Sequence, residues 1–147
     1  MSQETELESV LHEEIPLTRA MGVAVLEWSG SALRIGAPLT NNVNHKCTAF
    51  GGSLYVMAVL SGWGLLYVLL KQAGLSAHIV IQESHIEYTA PVTNDIVAEC
   101  RLPADAALAR LIKTFERKGR ARIELNAVVM QAGEPAVTFK GRYVIHR

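Results

Sequence analysis

A run of polar residues stands just before two adjacent glycines, and together they could bind a carbonyl oxygen. The run is Asn41-Asn42-Val43-Asn44-His45-Lys46, and Gly51-Gly52 opens an uncharged stretch from Phe50 to Leu70. Such a stretch predicts a long helix, whose first N–H groups point outward with the positive end of the helix dipole behind them. Glycines there would admit a carbonyl oxygen, as in an oxyanion hole. The alternative is that Gly51-Gly52 only allows a tight turn into the helix.

Side chains elsewhere could hold or activate a water molecule. Glu83 and His85 lie two residues apart on a predicted strand, so they share a face and could act as general base and orienting group. Asn44 could orient the water or the carbonyl, and His45 could play a similar part. The alternatives are that Glu83 and His85 belong to a solvated outer face, which Glu87 favours, and that Asn44 shapes its loop.

Other catalytic chemistry has less support in the sequence. Cys47 would need a lowered pKa to act as a nucleophile, and only the adjacent His45 and Lys46 point that way. Ser53 has no evident base beside it, which favours a structural hydroxyl. The 5 histidines are scattered and the 2 cysteines lack a CxxC spacing, so neither a metal nor another cofactor is expected.

A basic run could contact phosphate groups or the acidic surface of a protein. Its members are Arg117, Lys118, Arg120 and Arg122. The simpler interpretation, which we favour, is that these cations complement the C-terminal end of a helix dipole and cover a wet strand face.

The uncharged stretch fits either a membrane span or a helix enclosed by protein. Gly62 and Gly64 dilute its hydrophobicity, and the single lysines at its flanks, Lys46 and Lys71, give no charge asymmetry to orient a span. The remaining segments resemble strands that need a core to cover. We therefore expect a buried core helix and no membrane association, with the glycines allowing close approach of the sheet or of a symmetry mate.

Composition narrows the class of protein further. The formal net charge is 0 and the hydrophobic fraction is 50%, which predicts a globular chain with no attraction to nucleic acid. The N-terminal segment is acidic and polar, unlike a signal or transit peptide, so a cytoplasmic protein is expected. The length of 147 residues predicts one domain, 1–147.

Periodicity predicts a helix, two strands, the long helix, and four strands interrupted by an amphipathic helix. Leu7 to Ile15 show helical spacing that Pro16 stops, Ser29-Gly30 marks a hairpin, and Asp105 and Gly119 bound the amphipathic helix. Further turns are predicted at Asn94-Asp95 and Gly133-Glu134-Pro135. Alternating strands have one wet and one dry face, so the fold class is α+β, with an antiparallel sheet curled around the long helix.

The strand predicted from His78 to Ala90 carries the candidate base. Alternation places Val80, Ser84, Ile86, Tyr88 and Ala90 on one face, and Glu83, His85, Glu87 and Thr89 on the other.

This order of elements resembles the hotdog fold. The segments IPLTRAMGVAV, APLTNNVNHKCTAFGGSLY, LSGWGLLY, ESHIEYTAPV and KGRARIEL resemble the thioesterase family that also forms the C-terminal half of YiiD-type GNAT acetyltransferases. The likeness covers about Ile15 to Tyr143. It implies a thioester hydrolase acting on acyl-CoA or acyl carrier protein, so the basic run could contact the phosphates of coenzyme A or the acidic surface of the carrier protein. The family also tends to have an acid followed two residues later by histidine, as at Glu83 and His85.

The resemblance carries over only part of the catalytic pattern of hotdog thioesterases. Asn44, Gly51 and Gly52 match it, whereas Phe50 stands at the histidine position and Val59 at the position of the acid inside the helix. Cys47 occupies a position where glycine is usual. A hydroxyacyl-thioester dehydratase, which needs that histidine, and a non-catalytic acyl-thioester binding module therefore remain alternatives.

The predicted sheet leaves an edge that natural proteins pair or cover. The start of the His78–Ala90 strand is apolar on both faces through Ile79, Val80 and Ile81. We therefore expect an antiparallel strand-to-strand homodimer at this edge, alone or as a dimer of dimers.

Overall fold

In chain order, one long helix separates the first two strands from the last four. A computed structural model describes residues 1–147. In chain order the elements are α1 (Gln3–Glu14), α2 (Leu17–Met21), β1 (Ala24–Trp28), β2 (Ala32–Ala37), a 3-10 turn (Leu39–Asn41), α3 (Gly51–Gln72), β3 (His78–Tyr88), β4 (Ile96–Arg101), α4 (Asp105–Lys118), β5 (Arg120–Gln131) and β6 (Glu134–His146).

All six strands form one antiparallel sheet that curls around α3. The strand order is β1-β2-β4-β5-β6-β3, so β1 and β3 are the edges. Helix α3 contacts β2 to β6 and shares one hydrophobic core with them. We call the side facing α3 the inner face and the opposite side the outer face. The predicted α+β hotdog arrangement is confirmed.

Helix α3 is long and apolar enough to cross a bilayer by length and composition, with a mean hydropathy of 1.8, and 61% of that window is buried inside the fold. Its internal glycines allow the close packing. A methyl group at Gly62 would overlap the hydroxyl of Tyr143, and one at Gly64 would lie 2.8 Å from Cδ2 of Leu33. The close approach predicted for these glycines is therefore made by the sheet.

Tyr143 links the middle of the sheet to the middle of α3. Its hydroxyl donates a hydrogen bond of 2.6 Å to the carbonyl oxygen of Val59. Burial is the main reason why the pKa of Tyr143 lies far above its ordinary value. The hydroxyl therefore stays a neutral donor, and the buried carbonyl has a partner.

A β-bulge in β3 changes which side chains face α3. Ile81 pairs with Tyr143 whereas Glu83 pairs with Arg142, so Gln82 is an extra residue. Strict alternation placed Val80 on the face of Ser84, Ile86 and Tyr88. That prediction was wrong, because the additional residue Gln82 shifts the alternation by one position, so Val80 and Ser84 lie on opposite faces. Val80 lies on the outer face and is 46% exposed.

Two further details were missed by periodicity. Pro16 ends α1 but also precedes α2, because proline suits the start of a helix. The last hairpin turns at Ala132 and Gly133, which both have positive φ, rather than at Gly133-Glu134-Pro135. Pro135 instead pairs with Met130 at the beginning of β6.

Helix α4 runs beside β5 where β4 has ended. β4 pairs with β5 only between Ala98–Cys100 and Ala127–Val129, so the first half of β5 has no strand on that side. α4 contacts this strand and buries Leu111 and Phe115 in the core. The helix ends as predicted at Gly119, whose φ of 73° is one that glycine adopts readily.

Candidate functional site

The N-terminus of α3 has no side-chain cap. Its N-cap residue is Phe50, and the first helical hydrogen bond runs from Leu54 N to Phe50 O at 3.0 Å. The N–H groups of Gly51, Gly52 and Ser53 donate to no protein acceptor. Three free donors at the positive end of a 22-residue helix are suited to bind an oxygen that carries partial or full negative charge.

The loop before α3 is held on both sides. Phe50 N donates to Asn42 O at 2.7 Å, and Ala49 N donates to Val92 O at 2.8 Å. Val43 and Ala49 form an isolated antiparallel bridge. These contacts fix the direction in which the chain enters the helix, and so the direction of the free N–H groups.

Asn44 organises this loop with its whole side chain. Its Oδ1 accepts from Lys46 N at 2.8 Å and from Thr48 N at 3.1 Å. Its Nδ2 donates to Thr48 Oγ1 at 2.8 Å and to Ala49 O at 3.4 Å. The amide is thereby engaged in loop contacts, which is the structural alternative that the sequence left open.

Cys47 lies at the tip of the same loop in a left-handed conformation. Its φ of 63° explains why glycine is usual at this position in similar sequences. The thiol is exposed. Cys100, by contrast, is buried, and burial raises the pKa of its thiol to about 12.

The two glycines of the helix start have different surroundings. A methyl group at Gly52 would overlap the Phe50 ring, so this glycine is needed for packing. A methyl group at Gly51 would lie 3.6 Å from the Tyr88 ring, which is an ordinary contact distance. Packing therefore does not require glycine at position 51.

Three hydroxyl groups lie between the first turns of α3 and β3. Tyr88 donates to the carbonyl oxygen of Gly51 at 3.0 Å, and Tyr55 shares a hydrogen bond of 2.7 Å with Ser84. Desolvation, followed by the nearby Tyr55, raises the pKa of Tyr88, so its phenol remains neutral. Sequence reasoning did not single out Tyr55 and Ser84. The available signal was Ser84 itself, a polar residue on the otherwise apolar face of β3.

Glu83 and His85 lie on the outer face, away from Gly51. Glu83 forms an ion pair with Arg142 at 3.0 Å, and His85 contacts Glu87 at 3.1 Å. The side chain of His85 is 73% exposed. The fold thus brings Tyr88 to the helix N-terminus, with the Tyr55–Ser84 pair farther along the same face of β3. The sheet lies between that point and the predicted base pair.

The four residues of the basic run do not all lie at one site in the structure. Lys118, Arg120 and Arg122 line a groove of about 650 Å³ between α4 and the outer face, and Arg110 joins them there. Arg117 does not line the groove. No group of three or more His, Cys, Asp and Glu side chains is placed to hold a metal ion.

Comparison with known proteins identifies the family. Residues 4–147 match the model of a family described as "Putative thioesterase (yiiD_Cterm)". The chain belongs to this thioesterase family. The resemblance read from the sequence is thereby confirmed.

Solved structures agree with this membership. A protein of unknown function from Chlorobaculum tepidum is 35% identical with a TM-score of 0.93, over 98% of this chain and 94% of that one. A "putative thioesterase" from Shewanella oneidensis is 28% identical with a TM-score of 0.90, over 99% and 98%. A "Probable Thioesterase" from Pseudomonas aeruginosa shares the fold at 21% identity, with a TM-score of 0.81 over 97% and 94%. Thioester hydrolysis is thus the activity to which the family and its folds point.

Proposed function

We propose that this protein hydrolyses an acyl thioester at the N-terminus of α3, with coenzyme A or acyl carrier protein as the thiol. The observation that carries the proposal is the group of three free N–H donors at Gly51, Gly52 and Ser53, in a helix start where packing does not require Gly51 to be glycine. Donors aimed at the oxygen that becomes negative stabilise the transition state of acyl transfer.

The reaction needs a water molecule directed at the carbonyl carbon. Because the Tyr88 hydroxyl donates to Gly51 O, its oxygen lone pairs are available to accept a hydrogen bond from that water and so to orient it. The Tyr55–Ser84 pair is a further polar contact between α3 and the same face of β3. The water oxygen forms the new C–O bond, the C–S bond breaks, and the departing sulfur takes a proton that originates from the water.

The site supplies no carboxylate to remove that proton. No acidic residue occurs between Phe50 and Leu70, and Glu83 is on the outer face in contact with Arg142. A missing general base is worth about 10² to 10⁴ in rate. We therefore expect slow turnover, through water rather than through an acyl-enzyme on Cys47.

We also propose that the functional unit is a homodimer joined at β3. This edge strand has no neighbour on one side. Next to it, α3 presents a half-buried apolar stripe of Val56, Val59, Trp63 and Tyr67. A second copy paired antiparallel at β3 would complete the sheet and cover this stripe.

A binding module without catalysis is the competing function. The observation that favours it is the same lack of an acidic side chain at the helix N-terminus. A dehydratase is less compatible, since Phe50 stands where its histidine would be needed.

Removing one hydroxyl tests the proposed role of Tyr88. Tyr88→Phe keeps the ring beside Gly51 and deletes only the proposed water contact. We expect kcat for thiol release from acyl-CoA to fall about 10-fold or more, within the range for a positioning group. Glu83→Gln is the matched control on the same strand and should leave kcat unchanged. Loss of activity in Glu83→Gln with retention in Tyr88→Phe would move the site to the outer face.

A further inference from the structure

A groove of about 650 Å³ lies between α4 and the outer face. One wall is the side of α4 that carries Arg110, Thr114 and Lys118, and the other is β5 with Arg120 and Arg122. Its volume of about 650 Å³ lies in the range of small-molecule sites. It is therefore large enough for a ligand of metabolite size.

Four cations in this groove have no anionic partner. Arg110, Lys118, Arg120 and Arg122 take part in no ion pair. The neighbouring carboxylates of the outer face are engaged elsewhere. Those of Glu83 and Glu124 contact Arg142 and Lys140, at 3.0 and 3.8 Å. Like charges gathered in one concave site repel one another, and an anion bound among them would relieve that repulsion.

The floor of the groove is apolar. Val144 points to the outer face yet is only 3% exposed, and Leu111 of α4 lies beside it at 4%. The bulge of β3 adds Gln82 to the lining, so a polar amide stands near this apolar floor. The groove thus combines charged walls with a closely packed apolar base.

We propose that this groove binds the phosphate-bearing part of a nucleotide. Arginine binds phosphate through two parallel N–H···O contacts, which suits Arg120 and Arg122 on one strand face. Gln82, which also lines the groove, supplies an amide for the sugar hydroxyls or the base.

The groove is separate from the helix N-terminus within one protomer. Gln82 and Tyr88 are six residues apart on β3, about 20 Å at the rise of a strand, and the two sites lie on opposite faces. Binding in the groove can therefore be measured without any thioester, so the result does not depend on the proposed hydrolysis.

The test is calorimetric titration of the full chain with adenosine 3′,5′-bisphosphate and with uncharged adenosine. We expect saturable binding of the bisphosphate that weakens as salt increases. The double variant Arg120→Glu/Arg122→Glu should lose at least 10-fold in affinity. Arg117→Glu, a charge reversal in the same basic run but outside the groove, should bind like the wild type. All three positions are exposed, and thermal unfolding checks that the variants fold.

Several outcomes would overturn the proposal. They are the absence of saturable nucleotide binding, equal affinity for adenosine, equal loss in Arg117→Glu, or binding of an acidic carrier protein with no nucleotide binding. Acyl-CoA kinetics then distinguish the source of the nucleotide. A raised KM at unchanged kcat in the double variant assigns the groove to the nucleotide of the thioester carrier, whereas unchanged kinetics assign it to a free nucleotide.

Discussion

At the scale of single residues, the candidate site consists of backbone N–H groups without an acceptor and a neutral hydroxyl, rather than of charged side chains. Gly51 has room for a methyl group it does not carry, and the N–H groups that follow have no acceptor. Tyr88 places a neutral hydroxyl beside them. Asn44, which matches the family pattern, uses its whole amide to hold the loop. Substitution of Asn44 should therefore change the activity by altering the geometry of the loop.

Cys47 offers a test of the loop that is independent of activity. Its positive φ is unfavourable for a residue with a Cβ by about 1 kcal/mol. Cys47→Gly should therefore raise the free energy of unfolding by up to about 1 kcal/mol, less the entropy that glycine adds to the unfolded chain. Cys47→Ala, which keeps the Cβ, should show no such gain. Urea unfolding measures both, and a less stable Cys47→Gly would contradict the assigned loop conformation.

Both Cys47 variants should also keep the wild-type rate of thiol release. The proposed reaction forms no bond to that thiol, which is exposed at the loop tip. Loss of activity in Cys47→Ala would indicate a covalent step and would contradict direct attack by water.

At the scale of elements, hydrophobic periodicity was enough to predict the long core helix, six strands and α4. It failed where one residue breaks the pattern. Because of the extra residue Gln82, Val80 lies on the outer face. Whether Glu83 lies on the inner or the outer face depends on which face of the sheet α3 covers. Pairing between distant strands decides that question, and local alternation contains no information about it. Tyr55 and Ser84 meet only because α3 crosses β3, so their contact could not be read from spacing.

Gly62 tests the packing of α3 against the sheet. Gly62→Ala improves helix propensity by about 1 kcal/mol, but its methyl group would overlap the Tyr143 hydroxyl. We expect the overlap to dominate and to destabilise the protein by about 1 to 3 kcal/mol, as in other overpacked cores. Denaturant unfolding measures the difference. Increased stability of Gly62→Ala would show that α3 and β6 are farther apart than described.

The turn of the last hairpin offers a substitution that should increase stability, in contrast to Gly62→Ala. Ala132 and Gly133 have φ of 52° and 80°, and such two-residue turns favour Asn-Gly. Ala132→Asn should therefore raise the thermal midpoint slightly, with about 0.5 to 1 kcal/mol of added stability. Ala132→Val, which is branched at Cβ, should lower it. The reverse order of the two variants would rule out this turn geometry.

At the scale of the whole molecule, the same sheet separates two surfaces of different chemistry. The inner side carries the helix N-terminus and its hydroxyl groups, and the outer side carries the basic groove. The open edge at β3 and the half-buried stripe of α3 lie next to each other. This combination is what a second copy of the chain would cover.

Light scattering tests the assembly. We expect about 32 kDa at micromolar concentration, twice the 16.0 kDa of one chain, or a multiple of that value for a dimer of dimers. Val59→Asp places a carboxylate in the stripe and should shift the mass toward the monomer, because an interface core excludes unpaired charge. A wild-type mass near that of one chain would contradict the dimer.

The most direct test of the site is the rate of thiol release from a panel of acyl-CoA substrates by the wild type and by Gly51→Ala. The alanine methyl group fits the fold at ordinary contact distance but would obstruct the carbonyl oxygen. We predict slow, measurable release by the wild type and a loss of about 10²-fold in kcat/KM for Gly51→Ala, at unchanged thermal stability. Full activity of Gly51→Ala, or a wild type that binds acyl-CoA without releasing thiol, would contradict hydrolysis at the N-terminus of α3.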